Sequence, residues 1–201
     1  LYPRQVLFAN ALLRQICLPS REYPSEQINS LYFDTPDLEQ HERSSCGDYQ
    51  KDKVRIRWYG KTEEIKGDQT IFLELKSRRG FASTKQRLKL RVSAENLYPE
   101  NLGKGIVPRN LLLDTLSGFG YFPHRPLIPV IRISYWRYRY EEMMSGQRIS
   151  LDCHIHSTMV APGLGNGEKD LELPGGVIEI KGQVLELPVV LRKTRILETD
   201  W

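Results

Sequence analysis

Five stretches of the chain alternate apolar residues with charged ones, and the charged side is mostly basic. They are KVRIRWY (Lys53 to Tyr59), IFLELK (Ile71 to Lys76), KQRLKLRV (Lys85 to Val92), RISLDCHI (Arg148 to Ile155) and VIEIK (Val177 to Lys181). Neighbouring side chains of a strand point to opposite faces, so each segment has one oily and one ionic face. The ionic faces carry ten cations: Lys53, Arg55, Arg57, Lys76, Lys85, Arg87, Lys89, Arg91, Arg148 and Lys181. Only Glu74, Asp152 and Glu179 oppose them. An ordinary solvated sheet face mixes the two signs to limit self-repulsion. A bias of this kind points to an anionic ligand gathered from several strands.

The rest of the chain supplies helices at the start, middle and end. Pro3 to Cys17 places Val6, Leu7, Leu12, Leu13 and Ile16 at helical spacing, with Pro3 acceptable in the first turn. Ile28 to Asp34 reads as a strand ended by Thr35-Pro36, and turn-rich sequence follows to Asp52. Gly60 to Gly67 and Ser77 to Ser83 read as turns between strands. Val107 to Ser117 is a second helix, stopped by Gly118 and Gly120. Leu127 to Tyr140 is rich in β-branched and aromatic residues and pairs with Arg148 to His156 across a short loop. Ala161 to Gly176 reads as a glycine-bearing loop, and Leu187 to Leu197 as a closing helix. About seven strands without βαβ alternation give an α+β, mainly antiparallel class.

Such a sheet can leave its ionic face to water, or curl into a barrel with the charges inside and helices outside. Two unit charges about 4 Å apart interact by roughly 4 kcal/mol at an effective dielectric near 20. A cationic lumen therefore requires anions, and phosphate chains are the obvious filling.

At 201 residues the chain reads as one domain spanning 1–201. The net charge of +4 is too small to imply a polyanion by itself; its placement does so. Three cysteines far apart, in no CxxC spacing, fit reduced thiols and a cytoplasmic location better than a disulfide framework. No apolar run is long enough to cross a membrane, and no signal-peptide pattern opens the chain. The glycines of Pro162 to Gly167 lack the GK[ST] ending of a phosphate loop. Asp152, His154 and His156 alternate, yet no further Cys or His cluster completes a zinc site, and Asp152 reads as a charge that orders an arginine. Trp58 lies on the oily face and reads as core. Tyr59 lies on the ionic face and reads as a nucleotide contact. Too few aromatics share the ionic faces for base stacking along a nucleic acid strand.

The combination of SLYFDTPDL (Ser30 to Leu38), KVRIRWYG, IFLELK, STKQRLKL (Ser83 to Leu90), YWR (Tyr135 to Arg137), RISLD and VIEIK resembles the VTC-type polyphosphate polymerase domain. That family belongs to the triphosphate tunnel metalloenzyme (CYTH-like) superfamily. The resemblance implies an eight-stranded triphosphate-tunnel barrel with a charged lumen and helices packed outside. The family's first strand, with its Glu-x-Lys pattern, is not visible before the opening helix, nor is the serine-lysine-tyrosine segment after the closing one.

By resemblance, Arg55, Arg57, Lys76, Arg137 and Arg148 hold the β- and γ-phosphates of ATP. Lys85, Arg87, Tyr135 and Lys181 bind the substrate and product chain. Glu179 falls on the family's metal-holding glutamate, for Mn²⁺ or Mg²⁺. Glu74 reads either as a second metal ligand or as a charge that orders neighbouring arginines. The implied activity is ATP-dependent polyphosphate synthesis. Hydrolysis of tripolyphosphate or nucleoside triphosphates, and non-catalytic binding of polyphosphate or another phosphate polyanion, stay open beside it.

Overall fold

A computed structural model describes residues 1–143, 146–161, 163–164, 170–182 and 191. The chain opens with helix α1 (Pro3–Ile16) and a three-residue strand β1 (Cys17–Pro19), followed by β2 (Ser25–Asp34) and a short helix α2 (Glu39–Ser45). Strands β3 (Gln50–Tyr59), β4 (Asp68–Arg79) and β5 (Ala82–Ser93) form a meander, and helix α3 (Arg109–Gly118) follows. Strands β6 (Ile128–Glu142), β7 (Arg148–Met159) and β8 (Asp170–Lys181) complete the order. The eight strands hydrogen-bond as β5-β4-β3-β2-β6-β7-β8, with β1 paired to β6. Pairing is antiparallel for β1 with β6, β3 with β4 and β4 with β5. The path ends at β5 and β8, so the expected barrel closure is not seen among the described residues. No helix among those residues is long and apolar enough to cross a membrane.

Several boundaries differ from the pattern reading, each for a local reason. The segment after Pro36 contains α2, whose first turn carries Glu39 and Glu42 and whose end carries Arg43, the charge order a helix dipole favours. The β4–β5 turn is confined to Gly80 and Phe81, because the ladder continues to Arg79 opposite Ala82. Residues 170–176, expected as loop, are the first half of β8. The expected closing helix from Leu187 to Leu197 lies outside the described residues apart from Leu191.

The chain divides into two compact units. The first comprises residues 1–28, 134–156 and 171–201. Its core sets Leu13 and Cys17 against Tyr140, Ile149 and Leu151, with Val6, Ile178 and Ile180 packed around them. The α1 start is fixed by the Tyr2 N–H donating to Gln5 Oε1 at 2.7 Å, which satisfies one of the helix's orphan donors. A side chain is excluded at Gly176, since a Cβ there would lie 2.6 Å from the Asp152 backbone oxygen.

The second unit comprises residues 29–133 and 157–170. Its core is the oily face of the meander, with Val54, Ile56 and Trp58 on β3 and Ile71, Leu73 and Leu75 on β4. Leu97, Leu102, Leu112 and Leu116 cover that face. Trp58 is fully buried, as its position predicts, and its indole N–H donates to Thr62 Oγ1 at 3.2 Å. With the oily face covered, the opposite face of the same strands is left to the charges.

Candidate functional site

Strand register arranges that charged face in rows. Lys53 pairs with Lys76, and Lys76 with Lys85. In the next row Glu74 stands between Arg55 and Arg87, and in the third Phe72 stands between Arg57 and Lys89. Opposed like charges on a sheet are destabilising, and three lysines in one row are a local excess of positive charge.

Glu74 is the carboxylate of this cluster and is 1% exposed. Arg55 Nε donates to its Oε2 at 2.8 Å, and Arg55 Nη2 lies equally close. Its Oε1 lies 2.7 Å from Lys85 Nζ and 3.2 Å from Arg87 Nε. Burial pushes the Glu74 pKa up, but the Lys85 contact and the Arg55 charge outweigh it and hold the carboxyl below its ordinary value. Lys85 is pulled down in turn, first by burial, with Arg55 and Arg87 adding to the fall against the pull of Glu74. Three cations thus share one carboxylate, and the cluster keeps a net positive charge.

Aromatic groups fix the arginines in place. Arg55 Nη1 donates to the Tyr32 hydroxyl at 3.1 Å. Arg87 Nη2 donates to the Tyr59 hydroxyl at 3.0 Å, and its guanidinium lies 3.4 Å from the Phe72 ring centroid. That is a close cation–π contact. Arg57 is buried and donates from Nε to Ser30 Oγ at 3.1 Å. Lys53, Lys76 and Lys89 are exposed and form no ion pair among the described residues.

The other unit holds a second cluster. Arg137 grips Asp152 with two parallel hydrogen bonds, Nε to Oδ1 at 2.6 Å and Nη2 to Oδ2 at 2.7 Å. A fork of this kind fixes both orientation and charge. Arg137 Nη2 also lies 3.4 Å from Glu179 Oε2, and Lys181 Nζ lies 3.0 Å from Glu179 Oε1. The Arg137 guanidinium sits 5.3 Å from the Tyr135 ring centroid. Burial works against its charge, but the Asp152 bonds dominate and raise its pKa further.

The structure therefore brings Arg55, Glu74, Lys85 and Arg87 together in one unit, with Arg57 and Lys76 in the flanking rows. It brings Tyr135, Arg137, Glu179 and Lys181 together in the other. Arg148 shares the β7 face of Asp152, is exposed, and forms no ion pair among the described residues. Ser30, Tyr32 and Phe72 are contributors that pattern reading misses. Tyr32 and Phe72 sit in runs that read simply as apolar strand, and only the register shows which cation each one meets.

A divalent ion finds no ready-made cage: among the described residues no three His, Cys, Asp or Glu side chains gather. Glu74 faces cations on both oxygens, and the Asp152 oxygens are taken by Arg137. Glu179 also meets a cation at each oxygen, Arg137 at 3.4 Å and Lys181 at 3.0 Å, but at 41% accessible it is the carboxylate open to solvent and to an incoming ion. One carboxylate suits a hard cation that takes its remaining ligands from water and phosphate oxygens, as Mg²⁺ commonly does. The residues fit such an ion as a shared ligand of protein and substrate.

The family model for the VTC domain matches residues 7–198. The chain belongs to the VTC domain family. A structure of a Bacillus halodurans protein named as a candidate adenylate cyclase resembles this VTC domain with a TM-score of 0.57 at 16% identity, covering 100% of this chain and 89% of that one. That likeness establishes a shared fold and nothing further. A Hippeastrum protein named as a candidate adenylyl cyclase with dominant triphosphatase activity aligns at a TM-score of 0.39 and 15% identity, covering 75% of this chain and 67% of that one. No curated protein matches this chain.

Proposed function

We propose that residues 1–201 act as one tunnel-type domain that makes polyphosphate from ATP. The observation that carries this reading is the Lys53, Lys76 and Lys85 row beside the Arg55–Glu74–Arg87 row, where cations exceed carboxylates and three lysines lack a partner among the described residues or share one. Such a face is stabilised by a chain of phosphates, and family membership makes that chain the expected ligand.

In the proposed reaction a terminal oxygen of phosphate or polyphosphate attacks the γ-phosphorus of ATP. The bond from that phosphorus to the β-bridging oxygen breaks, and ADP leaves with the electron pair. Phosphoryl transfer of this kind needs positioning and charge neutralisation more than covalent help. Arg55, Arg57, Lys76, Arg137 and Arg148 would hold the β- and γ-phosphates. Lys85, Arg87, Tyr135 and Lys181 would guide the acceptor and product. Glu74 orders Arg55 and Arg87, the reading that its near-complete burial among three cations favours over metal binding. Glu179 would share a Mn²⁺ or Mg²⁺ ion with substrate oxygens, and that ion supplies further neutralisation. An anionic acceptor needs no general base.

Incubation with ATP and Mn²⁺, scoring ADP and polymer on a gel, tests the reading. Arg57→Ala is expected to abolish polymer, and a wild-type yield from it refutes the proposal. Free phosphate without chain growth identifies a hydrolase. Polyphosphate binding without turnover identifies a binding module.

A further inference from the structure

The second unit contains a pocket of about 550 Å³ that the phosphate-gripping role does not use. That volume lies within the range typical of small-molecule sites. Its walls are mainly apolar, from Leu38, Val130, Ile131, Ile133 and Met159, and Tyr32 lines it as well. Inorganic polyphosphate has no apolar part, so an oily chamber gives it nothing to bind. The chamber nevertheless touches the cation rows at two points. Lys53 lines it, and Tyr32 reaches from it to Arg55 through the 3.1 Å hydrogen bond.

We infer that this pocket receives the base of the nucleoside triphosphate, so that the domain selects nucleotides over inorganic triphosphate. The inference rests on the ATP reading above and names the part of the site that recognises the organic moiety. Lys53 and Arg55 lie two residues apart on one face of β3, about 7 Å along the strand. A ligand with phosphates over Arg55 can pass Lys53 and place a flat ring against Tyr32 and the isoleucines. Burial of apolar surface and ring stacking on Tyr32 supply the affinity.

Polar groups for the edge of a base are present on α2. His41 and Ser44 line the pocket, and neither side chain forms a hydrogen bond among the described residues. The Gln40 amide is already committed, accepting from the Val54 N–H at 3.2 Å and donating to the Tyr121 hydroxyl at 3.4 Å. Leu38, another wall residue, sits in the left-handed backbone region at φ 58°. A bulky residue seldom adopts that conformation, and such outliers concentrate where a ligand is held.

Calorimetric titration of ATP and of inorganic tripolyphosphate into wild type and Ile133→Trp tests the inference. Filling the pocket is expected to weaken ATP about tenfold while tripolyphosphate stays within about twofold. Equal loss for both ligands, or loss for neither, overturns the pocket assignment and leaves the phosphate site standing. Failure of wild type to bind either ligand overturns the polymerase reading itself. Should the tryptophan variant not fold, photolabelling of wild type with 8-azido-ATP, competed by ATP, decides the matter. Label on residues 38–45, 130–133 or 159 supports the pocket, and label confined to other segments overturns it.

Discussion

Lys76 and Lys85 face each other across the β4–β5 ladder, two cations in directly opposed positions with Lys53 opposite Lys76 on the other side. Glu74 relieves Lys85 at 2.7 Å, while Lys76 forms no ion pair among the described residues. The arrangement carries a stability cost that an anion removes. Lys76→Gln is therefore expected to raise the melting temperature of the ligand-free protein at low salt by about 1–4 °C. It is also expected to shrink the further rise produced by tripolyphosphate. A thermal melt with and without that anion checks both, and an unchanged tripolyphosphate response removes Lys76 from the site.

Glu74→Gln leaves Arg55 and Arg87 without the charge between them. Breaking a buried ion cluster at one partner costs roughly 3–5 kcal/mol, so the variant is expected to be markedly less stable at neutral pH. The pH dependence has a definite sign. The Glu74 pKa is held below its ordinary value of 4.5 in the folded protein, so its stabilisation is present above that value and is lost as pH falls through the lowered folded pKa. Urea unfolding of both proteins is expected to show a gap that is wide near pH 7 and closes in acid. A gap independent of pH contradicts the assignment.

Arg137→Lys keeps the charge but cannot reproduce the fork that grips both Asp152 oxygens. A displaced phosphate contact of this kind costs on the order of a hundredfold in rate. Polymer synthesis is expected to fall by about that much while far-ultraviolet circular dichroism stays unchanged. Retention of full activity would detach Arg137 from the chemistry.

Gly176→Ala introduces a methyl group 2.6 Å from the Asp152 backbone oxygen, and β7 and β8 must separate to admit it. Overpacking of this type costs about 1–3 kcal/mol. Because Asp152 orients Arg137, the variant is expected to lose tripolyphosphate stabilisation as well as melting temperature. A drop in melting temperature alone marks Gly176 as purely structural.

The strands were legible because alternation is a strong signal wherever one face is oily and the other ionic. Val54, Ile56 and Trp58 on β3, with Ile71, Leu73 and Leu75 on β4, fall on the buried side as their spacing requires. Helix α2 escaped because EQHERSS has no apolar stripe; its register is set by Asp34, whose carboxylate accepts the Gln40 and His41 N–H groups. The first half of β8 escaped because Pro174, Gly175 and Gly176 carry turn signals inside a strand. The cations of the site were legible as a type, but not their partners. That Arg55 meets Tyr32, and Arg87 meets Phe72, depends on which strands lie side by side and in which register, and neither is written in a single segment.

β5 is a terminal strand of the hydrogen-bonded path among the described residues, and Lys85, Arg87, Lys89 and Arg91 lie along one of its faces. A free strand border invites neighbouring copies to dock and stack into aggregates. Here an approaching identical strand would bring four more positive groups against these four, and that repulsion opposes pairing of one copy with another. If the proposed polyanion binds there, it would neutralise these groups and weaken that repulsion between copies.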